Sequence, residues 1–282
     1  MSFADHIRAC NSFDRRRVVP LVAGPQRIGW LLRDNAAALS RFPKVFAAEG
    51  DAVRLVAEGN VDTVSAAVDE VVEALVVENL VPKWRNETFD VMRSWGEPPI
   101  FRLDRGAVPF FGTRAYGVHL NGYRRDGGLR LWIGRRAPDK RVSPNKLDNI
   151  VAGGIGNGHG IAATLFKEAE EEGGIPAALV KGAMPVGAVS YCMETELGVR
   201  DDVLYVYDLE LPADFIPVNS DGEIVHFELM PAADVIERVR RTDDFKFNVN
   251  LVILDFALRH GLIAVDDPEY TELATGLHRP LD

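Results

Sequence analysis

Two cysteines, Cys10 and Cys192, are all that 282 residues contain, too few for a disulfide framework or a zinc cluster. Each reads as a small buried apolar residue. Stretches of eighteen apolar residues are also missing, so no membrane span is expected. The N-terminal MSFADHIRACNSFDRRR lacks the uninterrupted apolar region of a secretory signal and reads as a short amphipathic helix. A cytoplasmic location is the resulting expectation. Excess positive charge is absent too: the net charge is −10 and no long basic run occurs, which argues against nucleic-acid and membrane-surface partners. No internal repeat or low-complexity run is visible. What remains is ordinary globular composition, 47% hydrophobic and 26% charged, long enough for one large or two modest domains.

The chain divides near residues 105–112. Before that point, VVPLVAG and RIGWLL read as strands around a Gly24-Pro25 turn, DNAAALSRF as a helix, and VFAAEGDAVRLV as a hairpin. Val64, Ala67, Val68, Val71, Val72, Leu75 and Val76 recur at helical spacing through VDTVSAAVDEVVEALVVEN, with Asp62 as its expected cap. This half carries no cluster of metal ligands or nucleophiles and reads as an α+β scaffold that shapes substrate choice. Beyond it, RAYGVHLNGYRR and LRLWIGRRA alternate as strands joined by Asp126-Gly127-Gly128. VGAVSYCMETELG and DVLYVYDLEL read as strands across a Val199–Asp202 turn. EIVHFELMP reads as a strand, AADVIERVRR as a helix, and FNVNLVILDFALRHGLI as a final helix stopped by Gly261. The pattern predicts an α/β/α sandwich around a mixed sheet, an α/β (α+β) class. The expected divisions are 1–109, 110–265 and a loose tail, 266–282.

The densest chemistry lies in GGIGNGHGIAATLFKEAEEEGGI, residues 153–175. Five glycines, at 153, 154, 156, 158 and 160, lead into a helix bearing Glu168, Glu170, Glu171 and Glu172. At about 100° per residue, Glu168, Glu171 and Glu172 share one edge and Glu170 points away. Like charges at this spacing repel. A cation between them would offset that cost, and all-oxygen ligands beside a glycine loop suit Mg²⁺ or Mn²⁺ and a phosphate-bearing substrate. The glycines let backbone N–H groups approach phosphate, so Gly153 and Gly154 are candidate phosphate contacts. Arg135, Arg136, Lys140, Arg141 and Lys146 form a basic cluster just before this segment, with Arg135 and Lys146 the expected phosphate ligands. Glu172 is the first candidate for the catalytic base, with Glu194, Glu196, Glu223 and Glu228 as the candidates on later strands, and Tyr191, Trp132 and Phe227 are aromatic candidates for stacking on a flat ring.

The segment resembles the Nudix box, G-x5-E-x7-R-E-U-x-E-E-x-G-U. Gly153 takes the first glycine, Lys167-Glu168 the R-E pair, Glu171-Glu172 the E-E pair, and Gly174-Ile175 the close. His159 stands at the loop glutamate, Lys167 at the arginine, and Ala169 at a bulky position. The resemblance implies metal ligation by Glu168, Glu171 and Glu172, with His159, Lys167 and Gly174 bracing the box. YGVHLNGY, LWIGRRAPDK, NKLDNIVAGGI, FELMP and NLVILDFALRHGLI extend the likeness over roughly residues 18–265 to the branch called thiamine-pyrophosphokinase-related, which has an extra N-terminal domain. That implies a metal-dependent pyrophosphohydrolase whose small-molecule diphosphates include thiamine diphosphate or its oxidised analogues. Loss of charge on an oxidised thiazolium favours that form in a site without a carboxylate partner for the ring. A Nudix-fold binding or regulatory module is an alternative, supported by His159. An allylic diphosphate isomerase using Cys192 and Glu194 is another. Oligomeric state is left open.

Overall fold

The computed structural model describes residues 1–82 and 87–280. Helix α1 (Phe3–Cys10) is closed by a capping box between Ser2 and Asp5. Strands β1 (Val18–Ala23) and β2 (Gln26–Leu32) form the expected hairpin, followed by α2 (Arg33–Leu39) and the hairpin of β3 (Phe46–Glu49) and β4 (Ala52–Leu55). They build one sheet in the order β2-β1-β4-β3, with β1 and β4 parallel. Helix α3 (Val61–Val77) buries Val64, Val68, Val71, Val72 and Leu75 against this core. Its cap is Asn60, whose side chain accepts from Thr63 N at 2.9 Å. Asp62 sits one residue inside the helix and pairs with Arg102 at 2.6 Å, so it is not the cap. Strands β5 (Thr88–Val91) and β6 (Phe101–Asp104) pair antiparallel, and α4 (Val108–Phe111) leads out. Gly112 ends α4 at φ +58, where a Cβ would lie 1.8 Å from Trp30 O, so only glycine fits.

The second sheet contains β7 (Arg114–Arg124), β8 (Arg130–Arg136), β9 (Leu147–Asn149), β10 (Val151–Gly154), β11 (Met184–Glu194), β12 (Val199–Glu210) and β13 (Ile224–Pro231). Its order is β11-β12-β7-β8-β13, with β10 on β7 and β9 on β8. Only β12 and β7 among these pairs run parallel, which makes the sheet mixed as expected. The β11–β12 turn falls at Thr195–Gly198, earlier than the sequence suggested. Thr195 N and Gly198 O bond at 2.7 Å, and Val199–Asp202 already belongs to the strand. A Cβ on Gly198 would lie 2.0 Å from Pro109 O, so the close approach of this turn to α4 requires glycine.

Helix α5 (Ile161–Gly173) covers one face, placing Leu165 and Ala169 on Leu120, Ile150 and Val151; short α6 (Ala177–Val180) adds Val180. Helices α7 (Ala232–Arg241) and α8 (Phe247–Arg259) cover the other, on Leu131, Ile133, Val189 and Val206. This is the α/β/α sandwich, preceded by a small α+β domain. The segment from Asp266 is not a loose tail. It forms α9 (Tyr270–Gly276), with Leu273 and Leu277 fully buried, and Ser190 N donates to Leu277 O at 3.0 Å. Residues 281–282 of that expected tail lie outside the described residues. Helix α1 packs on α8 and α9: Phe3, Ile7 and Cys10 share the α8 core, and His6 Nε2 meets Val239 O at 2.7 Å. No helix among the described residues is long and apolar enough to cross a membrane.

Candidate active site

Strand β10 delivers the glycine turn. It pairs with β7 from Val151↔Leu120 to Gly154↔Gly117, then Ile155 N donates to Tyr116 O at 2.8 Å and the chain turns into α5. Gly153 is required by contact: a Cβ there would sit 2.3 Å from Glu168 Cγ. Gly174 closes α5 at φ +58, where a Cβ would meet Val218 O at 2.7 Å. Both box glycines therefore have steric reasons. Gly153→Ala is expected to lower turnover by about 10²-fold through displacement of Glu168 and to cost about 1–3 kcal/mol through overpacking. Parallel kcat and urea-midpoint measurements check both; wild-type values would show that Glu168 can move aside freely.

The glutamates sit in the last turns of α5, at the negative end of the helix dipole. Glu172 is 4% exposed, and its Oε2 accepts from Ala152 N at 2.7 Å. Burial pushes its carboxyl well above the usual glutamate range, against the opposing pull of that N–H. Glu168 is raised as well, again chiefly by burial. Lys167 Nζ bridges Glu168 Oε1 at 3.0 Å and Glu171 Oε2 at 2.8 Å, which leaves Glu171 on the outer rim. Lys167 thus pairs with two box carboxylates at once. Ala169 is fully buried, its small size matching the close approach of α5 to the sheet. His159 is exposed, and its backbone N–H closes a turn on Gly156 O at 3.1 Å.

Two further carboxylates join from the loop before β13. Oxygens of Glu172, Asp221 and Glu223 all lie within 4.8 Å of one another. The loop is fastened to the end of α5: Val218 N donates to Gly173 O at 3.1 Å, Ser220 N to Glu171 O at 3.0 Å, and Asn219 Nδ2 to Glu172 O at 3.2 Å. Glu223, one of four candidate bases, reaches the box and is ion-paired with Lys140. Glu194 instead pairs with Arg17 at 2.8 Å, and Glu196 and Glu228 are exposed. Sequence reasoning missed Asp221. The only signal for it was an acidic Asn-Ser-Asp-Gly loop, and such loops are common.

Beside these carboxylates opens a cleft of about 560 Å³. Its floor follows strand alternation, with Ala115, Gly117 and His119 of β7 and Arg200, Asp202 and Leu204 of β12 on one face. Phe89, Arg105 and Val108 of the first domain form one wall, and Lys246, Phe247 and Asn248 at the start of α8 another. Three of the five residues of the basic cluster line the cleft, but the two singled out as phosphate ligands do not. Arg135 donates to Asn145 O at 2.6 Å and Lys146 to Asp243 at 3.1 Å, and neither lines the cleft. Arg136 does, because neighbouring strand residues face opposite sides, and so do Lys140 and Arg141 from the loop that follows β8. Arg136 meets buried Asp148 at 2.6 Å and Lys246 lies 3.6 Å from the same carboxylate. Burial works against charging Asp148, but the two cations outweigh it and hold its carboxyl below the usual range. Burial pushes His119 down to about 4, so its ring is neutral at pH 7, with Nδ1 on Asn149 Oδ1 at 2.8 Å.

The cleft is also lined by a carboxylate on β12. Asp202 accepts from Tyr191 OH and lies 3.8 Å from Arg200, so the condition of a site lacking a carboxylate is not met; Arg200 offsets the charge instead. Tyr191, Trp132 and Phe227 are not cleft walls. Tyr191 is 1% exposed in the α8 core, and the other two pack in the α5 layer. Cys192 is buried against Val18, Trp30 and Val199, outside the cleft, and burial pushes its thiol up to about 12. With Glu194 tied to Arg17, the isomerase arrangement is absent.

A turn-and-helix of this geometry has relatives. A NUDIX domain matches residues 115–250, and a domain of unknown function, DUF4743, matches residues 2–115. Nudix hydrolase 20, chloroplastic, of Arabidopsis thaliana is 38% identical over 96% of this chain and 76% of its own length. Nudix hydrolase 24, chloroplastic, of the same plant is also 38% identical, over 96% and 76%. The chain belongs to the Nudix hydrolase family. A crystal structure of DR0079 from Deinococcus radiodurans covers 59% of this chain and 97% of its own, with TM-score 0.47 and 22% identity. As a Nudix hydrolase, the protein acts on phosphoanhydride bonds, and the family generally uses a divalent metal such as Mg²⁺ or Mn²⁺. The donors here suit such an ion: an all-oxygen set, crowded within 4.8 Å, with one buried carboxylate that accepts a single N–H.

Proposed function

We propose that the protein hydrolyses a diphosphate joined to a flat heterocyclic group, and that thiamine-type diphosphates, oxidised forms included, are its substrates. The observation that carries the reading is the gathering of Glu172, Asp221 and Glu223 within 4.8 Å of one another, with Glu223 lining an interdomain cleft. Glu168, Glu172 and Asp221 hold Mg²⁺ or Mn²⁺, with Glu171 on the rim. Bound there, the ion neutralises diphosphate charge and acidifies water. Glu223 faces the cleft and accepts the proton as the water oxygen attacks phosphorus and the phosphoanhydride P–O bond breaks, leaving two phosphate products. Lys140 and Arg141 draw the anion in, and Gly153 and Gly154 present backbone to it.

The thiamine assignment rests on the chain-wide resemblance. It is supported by a cleft within the roughly 300–1,000 Å³ usual for small ligands, with Phe89 and Phe247 on its walls. Release of phosphate from a diphosphate panel tests it. The expected order of kcat/KM is thiamine-type diphosphates, intact or oxidised, ahead of nucleoside triphosphates. A clear preference for ADP-ribose, dinucleotides or nucleoside triphosphates rejects the thiamine assignment and leaves the hydrolase standing.

A further inference from the structure

The box has lost its loop glutamate to His159, yet its glycine turn is tethered from outside the Nudix domain. Asn157 N donates to Thr88 O at 2.8 Å, Asn157 Nδ2 to Thr88 Oγ1 at 3.0 Å, and Gly158 N to Asp90 Oδ2 at 3.0 Å. All three acceptors lie on β5 of the first domain. Between them Phe89 abuts the turn, where a Cβ on Gly154 would fall 2.7 Å from its Cζ. Asp90 is anchored in turn: Arg102 lies 3.8 Å from its other oxygen and bonds Asp62 of α3 at 2.6 Å.

We propose that β5 of the N-terminal domain is the brace of the metal-binding turn, with Asp90 as the positioning residue that stands in for the missing loop glutamate. A turn with three glycines, at 156, 158 and 160, loses much freedom when ordered. The Glu168 side chain packs against Gly153 in the space a Cβ would take, so the path of the backbone into the turn helps set where that carboxylate lies. Asp90 acts through Gly158 and the turn and need not touch substrate. The N-terminal domain then does more than line the cleft: metal affinity depends on it. This inference rests on the metal-dependent hydrolase reading and adds the part that the first domain plays in it.

The test uses the full chain carrying Asp90→Ala, Asp90→Asn, or Asp90→Ala with His159→Glu. Three quantities are read: amide exchange of residues 155–160 in metal-free protein, Mn²⁺ affinity by calorimetry, and kcat with KM. Loss of one charge-assisted hydrogen bond should raise turn exchange and weaken Mn²⁺ binding, each by about tenfold or more. Exchange within α8 should be unaltered, and kcat should fall more than KM changes. Asp90→Asn keeps an acceptor oxygen and should recover most of the loss. His159→Glu should recover part of it by restoring a carboxylate to the turn itself. Unchanged turn exchange and Mn²⁺ affinity in Asp90→Ala overturn the proposal. A general loss of stability that neither the asparagine nor the second-site glutamate relieves overturns it too. If exchange and Mn²⁺ affinity respond as expected while no diphosphate is cleaved, the brace stands and the hydrolase reading falls.

Discussion

Glu172→Gln is expected to lower metal-dependent turnover by about 10²–10⁴-fold, the range for loss of an essential catalytic group, while the metal-free protein becomes more stable. Glutamine keeps an oxygen for Ala152 N and removes a carboxyl that burial makes costly to ionise. The pH dependence follows from the direction of the shift. A carboxyl raised above its ordinary 4.5 binds more protons folded than unfolded, so its contribution to stability is full below 4.5. That contribution is lost as pH rises from 4.5 through the folded value. His119, depressed from 6.5 to about 4, runs the other way and adds stability as pH rises between those values. Comparing the wild type with Glu172→Gln cancels His119. In EDTA the melting-temperature advantage of the variant should be small near pH 4.5 and widen as pH rises. Added Mg²⁺ should stabilise the wild type increasingly with pH, because protons compete for the ligand, and the variant hardly at all. A pH-independent difference, or retained turnover, would remove Glu172 from the metal site. Glu171→Gln, on the rim, should cost far less.

Deleting residues 1–12 is expected to remove most of the stability of the second domain, although these residues lie at the start of the first. Phe3 and Cys10 are each 1% exposed and Ile7 4%, all within the α8 core. Truncating one such phenylalanine or isoleucine costs about 2–5 kcal/mol, against a total of about 5–15 kcal/mol. Ala4 N on Glu269 at 3.0 Å and the two-pronged Arg8–Glu272 pair at 2.7 and 2.6 Å would go as well. The urea midpoint checks this, and an unchanged midpoint would mean that α1 does not dock in solution. A fragment beginning after residue 108 would carry the same defect. The first domain is therefore better probed by Asp90 substitutions than by truncation.

Much of the architecture was legible locally. Helical recurrence placed α3 and α5, alternation placed β7, β8 and β13, and Gly24-Pro25 and Asp126-Gly127-Gly128 marked hairpins. The spacing from Gly153 to Gly174 announced the box because each position answers to a short-range demand. Helix geometry gathers Glu168, Glu171 and Glu172, and positive φ demands glycine at 174. Misreadings such as the Asp62 cap and the Val199–Asp202 turn were displaced by only a few residues, since several neighbouring residues satisfy the same turn or cap chemistry.

What only the tertiary structure decided involves partners far apart in the chain. Asp221 and Glu223 meet Glu172 because the loop before β13 is hydrogen-bonded to the end of α5, and no periodicity in the loop records that. Arg135 turned away while Arg136 turned in, a choice set by strand alternation, and the loop between β8 and β9 put Lys140 in the cleft and Lys146 on Asp243, neither of which composition carries. α1 and α9 close one core from opposite ends of the chain because each has an apolar face too small to be stable alone. The bond from Gly158 to Asp90 spans 68 residues and two domains. Sequence determined the helix that bears the glutamates and the turn that precedes it, since both depend on near neighbours. Folding decided which distant carboxylates complete the cluster and which strand holds the turn, since those contacts exist only when sheet order brings the segments together.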